Sequence, residues 1–382
     1  MTRPRIVSSE RSTDEELKAA ISPITDIIED AVNGRPYILI DAEDRENEGD
    51  VIIPAQFATP AQINFMAKYA RGLVCLSITS ERARQLRLPP MAWENQSGHG
   101  TAFTVSIEAR EGVTTGISAH DRAHTIAVAV DPTKGCDDIV SPGHVFPLVA
   151  KDGGVLVRAG HTEAAVDISR LAGLNPAGVI CEIMNEDGSM ARLPDLVAFA
   201  QLHGLKIGTI ADLITHRRRT ERQVERILET PFESVYGGMF RMLVYRNIID
   251  RTEHVVLARG KIDPDEPTLV RVHRADIAAD MLGHVEARQD LIPRALKAIA
   301  EYDGAGAAVF IRSSDPAAIS EKFGQPDPPA FPKEALREFG IGAQILLDLG
   351  VRDMILLLTP QTPQRMPASG GYGLRVLERR ML

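Results

Sequence analysis

The chain has 382 residues, enough for two or three domains at the usual ~100–200 residues each. Its 43 Lys and Arg against 52 Asp and Glu leave a formal charge of −9, which argues against nucleic-acid and anionic-membrane partners because both need a basic field. With 44% hydrophobic residues and 25% charged it can bury a large core, and no apolar run reaches the ~18–20 residues of a membrane span.

In chain order, the opening MTRPRIVSSERSTDEELK lacks the apolar stretch of a signal peptide, so a cytoplasmic location is expected. RPYILID, GLVCLSI, TAFTVSIEA, GGVLVRAG and AGVICEIM are predicted strands, rich in β-branched residues or bounded by Gly and Pro. TPAQINFMAKYA and LPDLVAFAQLHG space their apolar residues as helices do, with Thr59 as cap, Pro60 at the first helical position and Gly204 as stop. This mixture predicts an α/β or α+β domain of roughly 200 residues. THRRRTERQVERILETPFES, with its arginine run and alternating charges, reads as a charge-laced connecting helix and sets the boundary between domains 1–217 and 218–382. Beyond it, HVVLARG, TLVRVHR, GAAVFIRS and DMILLLT are predicted strands. DLIPRALKAIAEY and KEALREFGIGAQILLDLG are predicted helices, and GQPDPPAFP between them a proline-rich loop.

Five segments carry chemistry. DAEDRENEGD crowds Asp41, Glu43, Asp44, Glu46, Glu48 and Asp50 into one strand-to-strand connection with Arg45 as the counter-charge. It reads either as a solvated acidic hairpin or as a site for Mg²⁺ or Mn²⁺, which favour carboxylate oxygens. In AGVICEIM, alternation puts Val179, Cys181 and Ile183 on one face and Ile180, Glu182 and Met184 on the other. Glu182 is then an edge-strand residue in water or a buried acid suited to proton transfer. Arg158-Ala159-Gly160-His161-Thr162 lies at a strand-to-helix turn, where free N–H groups, a guanidinium and a hydroxyl suit a phosphate and His161 suits metal or acid–base work. His144 in SPGHVFPL is expected in a Pro/Gly turn, and EGVTTGISAHDR is a small-residue segment rich in hydroxyls. Cys75 reads as a small buried residue. With three cysteines in all, Cys75, Cys136 and Cys181, a disulfide framework is excluded. The combined features predict metal-assisted chemistry on a small phosphorylated, oxygen-rich substrate.

These motifs, with GTAFTVSIEAREGVTTGISAHDRAHTI, RAGHTEAAVDISRLAGLNPAGVICEIMNEDGSMAR and IGTIADLI, occur in one order that resembles the 3,4-dihydroxy-2-butanone 4-phosphate synthases of riboflavin biosynthesis, from about Arg35 to His216. The resemblance implies a mixed-sheet α+β fold and conversion of ribulose 5-phosphate to 3,4-dihydroxy-2-butanone 4-phosphate and formate. It implies one or two Mg²⁺ or Mn²⁺ ions and a homodimer with active sites at the subunit interface. Residue by residue, Glu46 and His161 match the metal ligands. Arg45, Glu46, Asp50, Glu182 and the turn Arg158, Ala159, Gly160, His161 and Thr162 match substrate-binding positions. His144 and Glu182 match catalytic positions, Asp50 is the candidate first base, and Cys75 matches a residue near the site.

FESVYGGMFRMLVYRN, TEHVVLARG, TLVRVH and EFGIGAQILLDLGVRDM resemble GTP cyclohydrolase II, implying a smaller α/β domain. That family holds zinc through three cysteines, whose positions fall at Asp276, Ala287 and Gln289, and no cysteine follows Cys181. A three-cysteine zinc site is therefore excluded; Asp276, His284 or His273 are the candidate substitute ligands. The GTP-binding segment is replaced by IRSSDPAAISEKFGQPDPPAFP. The second domain is expected to lack zinc and cyclohydrolase activity and to aid dimerisation or bind a flavin, a nucleotide or a pathway enzyme. The rival expectation is a bifunctional enzyme.

Overall fold

The apolar runs of the first half assemble into a seven-stranded sheet. Its strands are β1 (Tyr37–Ile40), β2 (Gly49–Pro54), β3 (Cys75–Ile78), β4 (Ile107–Ala109), β5 (Ile139–Val149), β6 (Gly178–Glu182) and β7 (Ile207–Thr209). They lie in the order β4-β5-β3-β6-β2-β1-β7. β3 runs parallel to β5 and β1 to β7, while the other pairs are antiparallel, so the sheet is mixed. The computed structural model describes residues 17, 19–284, 290–313, 317–324, 334–359 and 373–382. They divide into two units between Arg217 and Arg218.

Around this sheet lie α1 (Ile24–Val32), α2 (Pro60–Phe65), α3 (Ser80–Gln85), α4 (Ala119–Val130), α5 (His161–Leu171), α6 (Leu193–His203) and α7 (Ile210–Thr220). Because strand side chains alternate, each strand feeds two cores. Tyr37, Leu39, Ile52 and Ile180 pack with Ile27 of α1, Ile168 of α5 and Leu213 of α7. Ile38, Val51 and Val179 pack on the opposite face with Ile63 of α2, Ile126 of α4 and Leu196 of α6. Thr59 caps α2 by accepting from the Gln62 N–H, with Pro60 following, and Gly204 closes α6 in the left-handed region.

Four sequence expectations are corrected. GGVLVRAG is no strand: Gly153 and Gly154 both take positive φ, and the chain turns through a 3₁₀ segment, Gly154–Leu156, whose Val155 N–H donates to the Asp167 carboxylate. Those two backbone conformations are open to glycine at little cost and end an extended run. His144 lies within β5 rather than in a turn. TAFTVSIEA is strand only over Ile107–Ala109, preceded by isolated bridges at Phe103 and Thr104. The connecting helix stops at Thr220, and the chain re-enters as a long strand. Arg217 ends buried against Asp167 at 2.6 Å.

The second unit has its own seven-stranded sheet: β8 (Val224–Ser234), β9 (Gly238–Asn247), β10 (Glu253–Arg259), β11 (Thr268–Arg274), β12 (Gly306–Ile311), β13 (Asp353–Leu358) and β14 (Arg375–Met381). The order is β14-β13-β11-β12-β10-β9-β8, antiparallel from β8 to β12 and parallel among β12, β11, β13 and β14. Helices α8 (Ile277–Asp280), α9 (Leu291–Glu301), α10 (Ala318–Gly324) and α11 (Glu334–Asp348) belong to it. Leu296 and Ile299 of α9 pack on one face of this sheet, Ile341 and Ile345 of α11 on the other. Most of the predicted loop GQPDPPAFP lies outside the described residues. Both units are thus mixed sheets with helices, an α+β architecture.

Candidate active site

The loop between β1 and β2 is organised by its first acid. Asp41 is buried, and its carboxylate accepts from the Arg45 guanidinium at 2.7 Å and from the backbone N–H groups of Glu46 and Glu48 at 3.0 and 2.9 Å. Arg45 also donates to Glu46 Oε2 at 2.6 Å. The outer rim is held by Arg192, which donates to the carbonyls of Glu46 and Asn47. Asp41 and Glu46 are therefore fixed in a built loop, while Glu43 and Asp44 face water.

His161, the first residue of α5, points into this loop. Its Nε2 lies 3.2 Å from the Leu39 carbonyl. A carbonyl only accepts, so Nε2 carries a hydrogen and Nδ1 is the nitrogen turned to the acids, protonated while they hold the ring charged and able to coordinate once a cation replaces that proton. Nδ1 lies 3.8 Å from both Glu46 Oε2 and Asp50 Oδ1, and Asp41, Glu46 and His161 bring ligand atoms within 4.8 Å of one another. Asp41 already serves the loop with both oxygens, so Glu46 and His161 are the more available donors. Burial disfavours the His161 cation, but Asp50, Glu46 and Asp41 outweigh it and lift the ring to about 9. The His161 ring 3.8 Å away, with Arg45, holds Glu46 down at about 2 against its burial. Burial drives Asp50 up to about 7, opposed by His161 and reinforced by Glu182 and Glu46. Asp50 Oδ1 is buried without a hydrogen-bond partner. Oxygen donors, one oriented imidazole nitrogen and an unsatisfied buried carboxylate atom fit a hard divalent cation.

Asp50 sits directly across the β2–β6 ladder from Glu182. Glu182 Oε2 accepts from the Leu73 N–H at 2.9 Å, so the strand end aims a half-buried carboxylate at the same side. Cys75 faces Ile180, one pair further along; burial pushes its thiol well up, which keeps it neutral.

Arg158 folds over the start of α5 and is already engaged. It donates to Glu163 at 2.7 Å, to the His99 carbonyl and to the Thr101 hydroxyl. Thr162 is buried, and the first N–H groups of α5 lack intrahelical acceptors as at any helix start. The structure places the turn Arg158–Thr162, Glu46, Asp50 and Glu182 on adjoining elements. Sequence reasoning missed Asp41 as the loop's organiser, Arg192 as its outer clasp, and Glu108, which accepts from His144 Nδ1 at 2.9 Å. Asp41 had a signal, being the first acid after an apolar strand; Arg192 and Glu108 are far in sequence from what they hold. His144 lies on β5, two residues before the Phe146 that pairs with Cys75.

In the second unit, Asp276 caps α8, His273 Nε2 lies 2.9 Å from Asp280, and the His284 ring stacks edgewise on Phe323. Ala287 and Gln289 lie outside the described residues.

The family profile for 3,4-dihydroxy-2-butanone 4-phosphate synthase matches residues 25–216, and the profile for GTP cyclohydrolase II matches residues 225–381. A Pseudomonas aeruginosa protein named 3,4-dihydroxy-2-butanone 4-phosphate synthase is 49% identical over 364 residues, covering 94% of this chain and 98% of that one. Among solved structures, a two-domain 3,4-dihydroxy-2-butanone 4-phosphate synthase from A. baumannii is 43% identical with a TM-score of 0.74, covering 94% of this chain and 99% of the other. A 3,4-dihydroxy-2-butanone 4-phosphate synthase in complex with two magnesium ions is 43% identical with a TM-score of 0.51, covering 53% and 99%.

Proposed function

The chain belongs to the 3,4-dihydroxy-2-butanone 4-phosphate synthase family, and from that premise we propose that its first unit converts D-ribulose 5-phosphate to L-3,4-dihydroxy-2-butanone 4-phosphate and formate, a step toward riboflavin. The observation that carries the reading is the His161 ring, turned by the Leu39 carbonyl so that Nδ1 faces Glu46 and Asp50.

In this reading Glu46 and His161 hold Mg²⁺ or Mn²⁺. A bound ion would supply Lewis acidity for the enolisation. The start of α5, Arg158 and Thr162 bind the phosphate, Arg158 exchanging part of its present hydrogen bonding for phosphate oxygens. Asp50, lifted to about 7 by burial, takes the proton beside the ketone to give an enediol. Glu182 and His144 share the later transfers: proton delivery to the hydroxyl that departs as water and, after the skeleton shifts, proton removal from a water that adds to the carbon expelled as formate. Cys75 contributes a neutral thiol to the wall. Arg45 works indirectly, by fixing Glu46.

The active form is a homodimer. The second unit is a GTP cyclohydrolase II-like module without cyclohydrolase activity, supported by the lack of any cysteine after Cys181. Its roles are assembly or binding of a flavin, a nucleotide or a pathway enzyme. The test is product formation by the purified chain from ribulose 5-phosphate and from GTP in parallel, with Mg²⁺ and Zn²⁺ and with EDTA controls. Butanone phosphate and formate from the first and nothing from the second support both statements. Turnover of GTP overturns the reading of the second unit in favour of a bifunctional enzyme. A folded, metal-loaded sample inert toward ribulose 5-phosphate overturns that of the first.

A further inference from the structure

The hairpin that follows β6 returns the chain to the acidic loop. The Asn185 N–H donates to the Ser189 carbonyl at 2.8 Å, and the Ala191 N–H then donates to the Ile183 carbonyl at 3.0 Å. Ile183 in turn donates its own N–H to the Gly49 carbonyl at 3.0 Å, where the loop passes into β2. The next residue, Arg192, is thereby delivered to the loop's outer turn. Its Nη1 donates to the carbonyl of Glu46 at 2.9 Å and to that of Asn47. One turn further, Leu196 of α6 fills the space over Gly49, where a Cβ would sit 2.5 Å from the leucine Cδ1.

This grip falls on the part of the loop that needs it. Asn47 takes a φ of +55°, a left-handed conformation that a residue with a side chain adopts at some cost. Asp41 holds the inner side of the loop through the N–H groups of Glu46 and Glu48, and Arg192 holds the carbonyl side. The Glu46 backbone is thus tied at both its N–H and its C=O. Arg45 takes one oxygen of its carboxylate, Oε2, and that same oxygen stands 3.8 Å from His161 Nδ1.

We propose that Arg192 is a positioning residue for Glu46, clamping the outer turn of the acidic loop so that the Glu46 carboxylate and His161 Nδ1 stand together for one divalent cation. The physical reason is preorganisation. An unclamped loop must be ordered when the cation binds, and that ordering entropy is subtracted from the affinity. Groups that orient a metal ligand from outside the coordination sphere set affinity for the same reason. Both carbonyls accept from a single nitrogen, so the clamp needs one cationic head with several donors rather than a planar fork. This inference rests on the proposed metal role of Glu46 and His161, and the test separates the two.

Mn²⁺ titrated into the full chain without substrate, with free Mn²⁺ read by electron paramagnetic resonance, gives the affinity directly. Arg192→Ala is expected to raise the Kd about 10-fold or more and to leave kcat at saturating Mn²⁺ within about 3-fold. Hydrogen exchange of the metal-free protein is expected to quicken in the loop between β1 and β2 and to stay as in the wild type in α6. Arg192→Lys, which keeps a cationic donor head, is expected to restore most of the affinity. If Arg192→Ala fails to fold, Arg192→Gln carries the comparison, its amide too short to reach the carbonyls. An unchanged Kd in a folded Arg192→Ala or Arg192→Gln variant overturns the positioning role. A raised Kd with exchange quickened throughout α6 also overturns it, since the arginine then only supports the helix. Wild-type Mn²⁺ affinity in Glu46→Gln removes Glu46 as a ligand and overturns the reading beneath the proposal.

Discussion

The two units are both built on seven mixed strands, yet their carboxylates are satisfied differently. In the second, Asp348 receives the Tyr245 hydroxyl at 2.8 Å, Arg226 at 2.9 Å and Arg222 at 2.8 Å, and Asp280 meets His273 at 2.9 Å. In the first, Asp50 and Glu108 each keep one buried carboxylate oxygen without a hydrogen-bond partner; among the described residues, both such carboxylate atoms fall there. A closed network stabilises a fold, whereas an open buried acid is costly and persists where a ligand or a reaction uses it. The contrast supports the proposal made above for the first unit.

Metal removal strains that contrast most. EDTA is expected to take butanone phosphate formation to background and Mg²⁺ or Mn²⁺ to restore it, followed by coupled detection of formate. Activity that survives exhaustive chelation, with metal content checked by elemental analysis, would sink the assignment of Glu46 and His161. Next comes Glu182→Gln, expected to cut kcat by about 10²–10⁴-fold while substrate affinity, measured by calorimetry, is largely spared. Near-normal turnover would mean that the acid opposite Asp50 is structural.

The remaining two predictions concern stability. Arg217 is buried on Asp167, which also accepts from the Val155 N–H. Arg217→Ala leaves that carboxylate buried with only the half-exposed Arg170 as a cation, at 3.3 Å, and should cost about 3 kcal/mol by chemical denaturation; Arg35→Ala, on a side chain 71% exposed, is the near-silent control. The smallest effect belongs to Asp348. Burial would raise it, but Tyr245 and Arg226 hold it below the ordinary carboxylate range. A depressed carboxylate stabilises the fold above its unfolded pKa of about 3.9 and loses that contribution as pH falls through the folded value. Wild type should therefore exceed Asp348→Asn by at most about 1 kcal/mol near pH 6, given solvent screening, and the gap should close as pH falls below the ordinary carboxylate range. A gap that widened in acid would reverse the assigned sign.

Much of the site was legible because strand alternation is strict. AGVICEIM alone puts Glu182 on the face of Ile180, and the structure keeps Val179 and Ile180 in separate cores. Thr59, Pro60 and Gly204 mark helix ends by local chemistry that needs no tertiary partner. The failures have one physical origin. GGVLVRAG looked extended because its aliphatic residues are β-formers, but Asp167, remote in sequence, captures its turn. The stretch after Thr220 carried a helical charge pattern, yet Arg226 spends its charge on Asp348 across 122 residues, and the backbone pairs with β9 instead. Tertiary partners override such propensities routinely.

By itself the sequence determined the division of chemistry in this protein: the acids, the imidazole and the small-residue turn of the first half, and the absence of cysteine from the second. Side-chain type and short-range spacing suffice for that, since both are written in the chain. Only the tertiary structure decided which nitrogen of His161 faces the acids, which acid stands open, and which carboxylate stands behind His144. Those are properties of groups brought together across the sheet, where Leu39 meets His161 and Glu108 meets His144 over sequence separations of 122 and 36 residues. Hydrogen-bond direction and burial exist only once those contacts form.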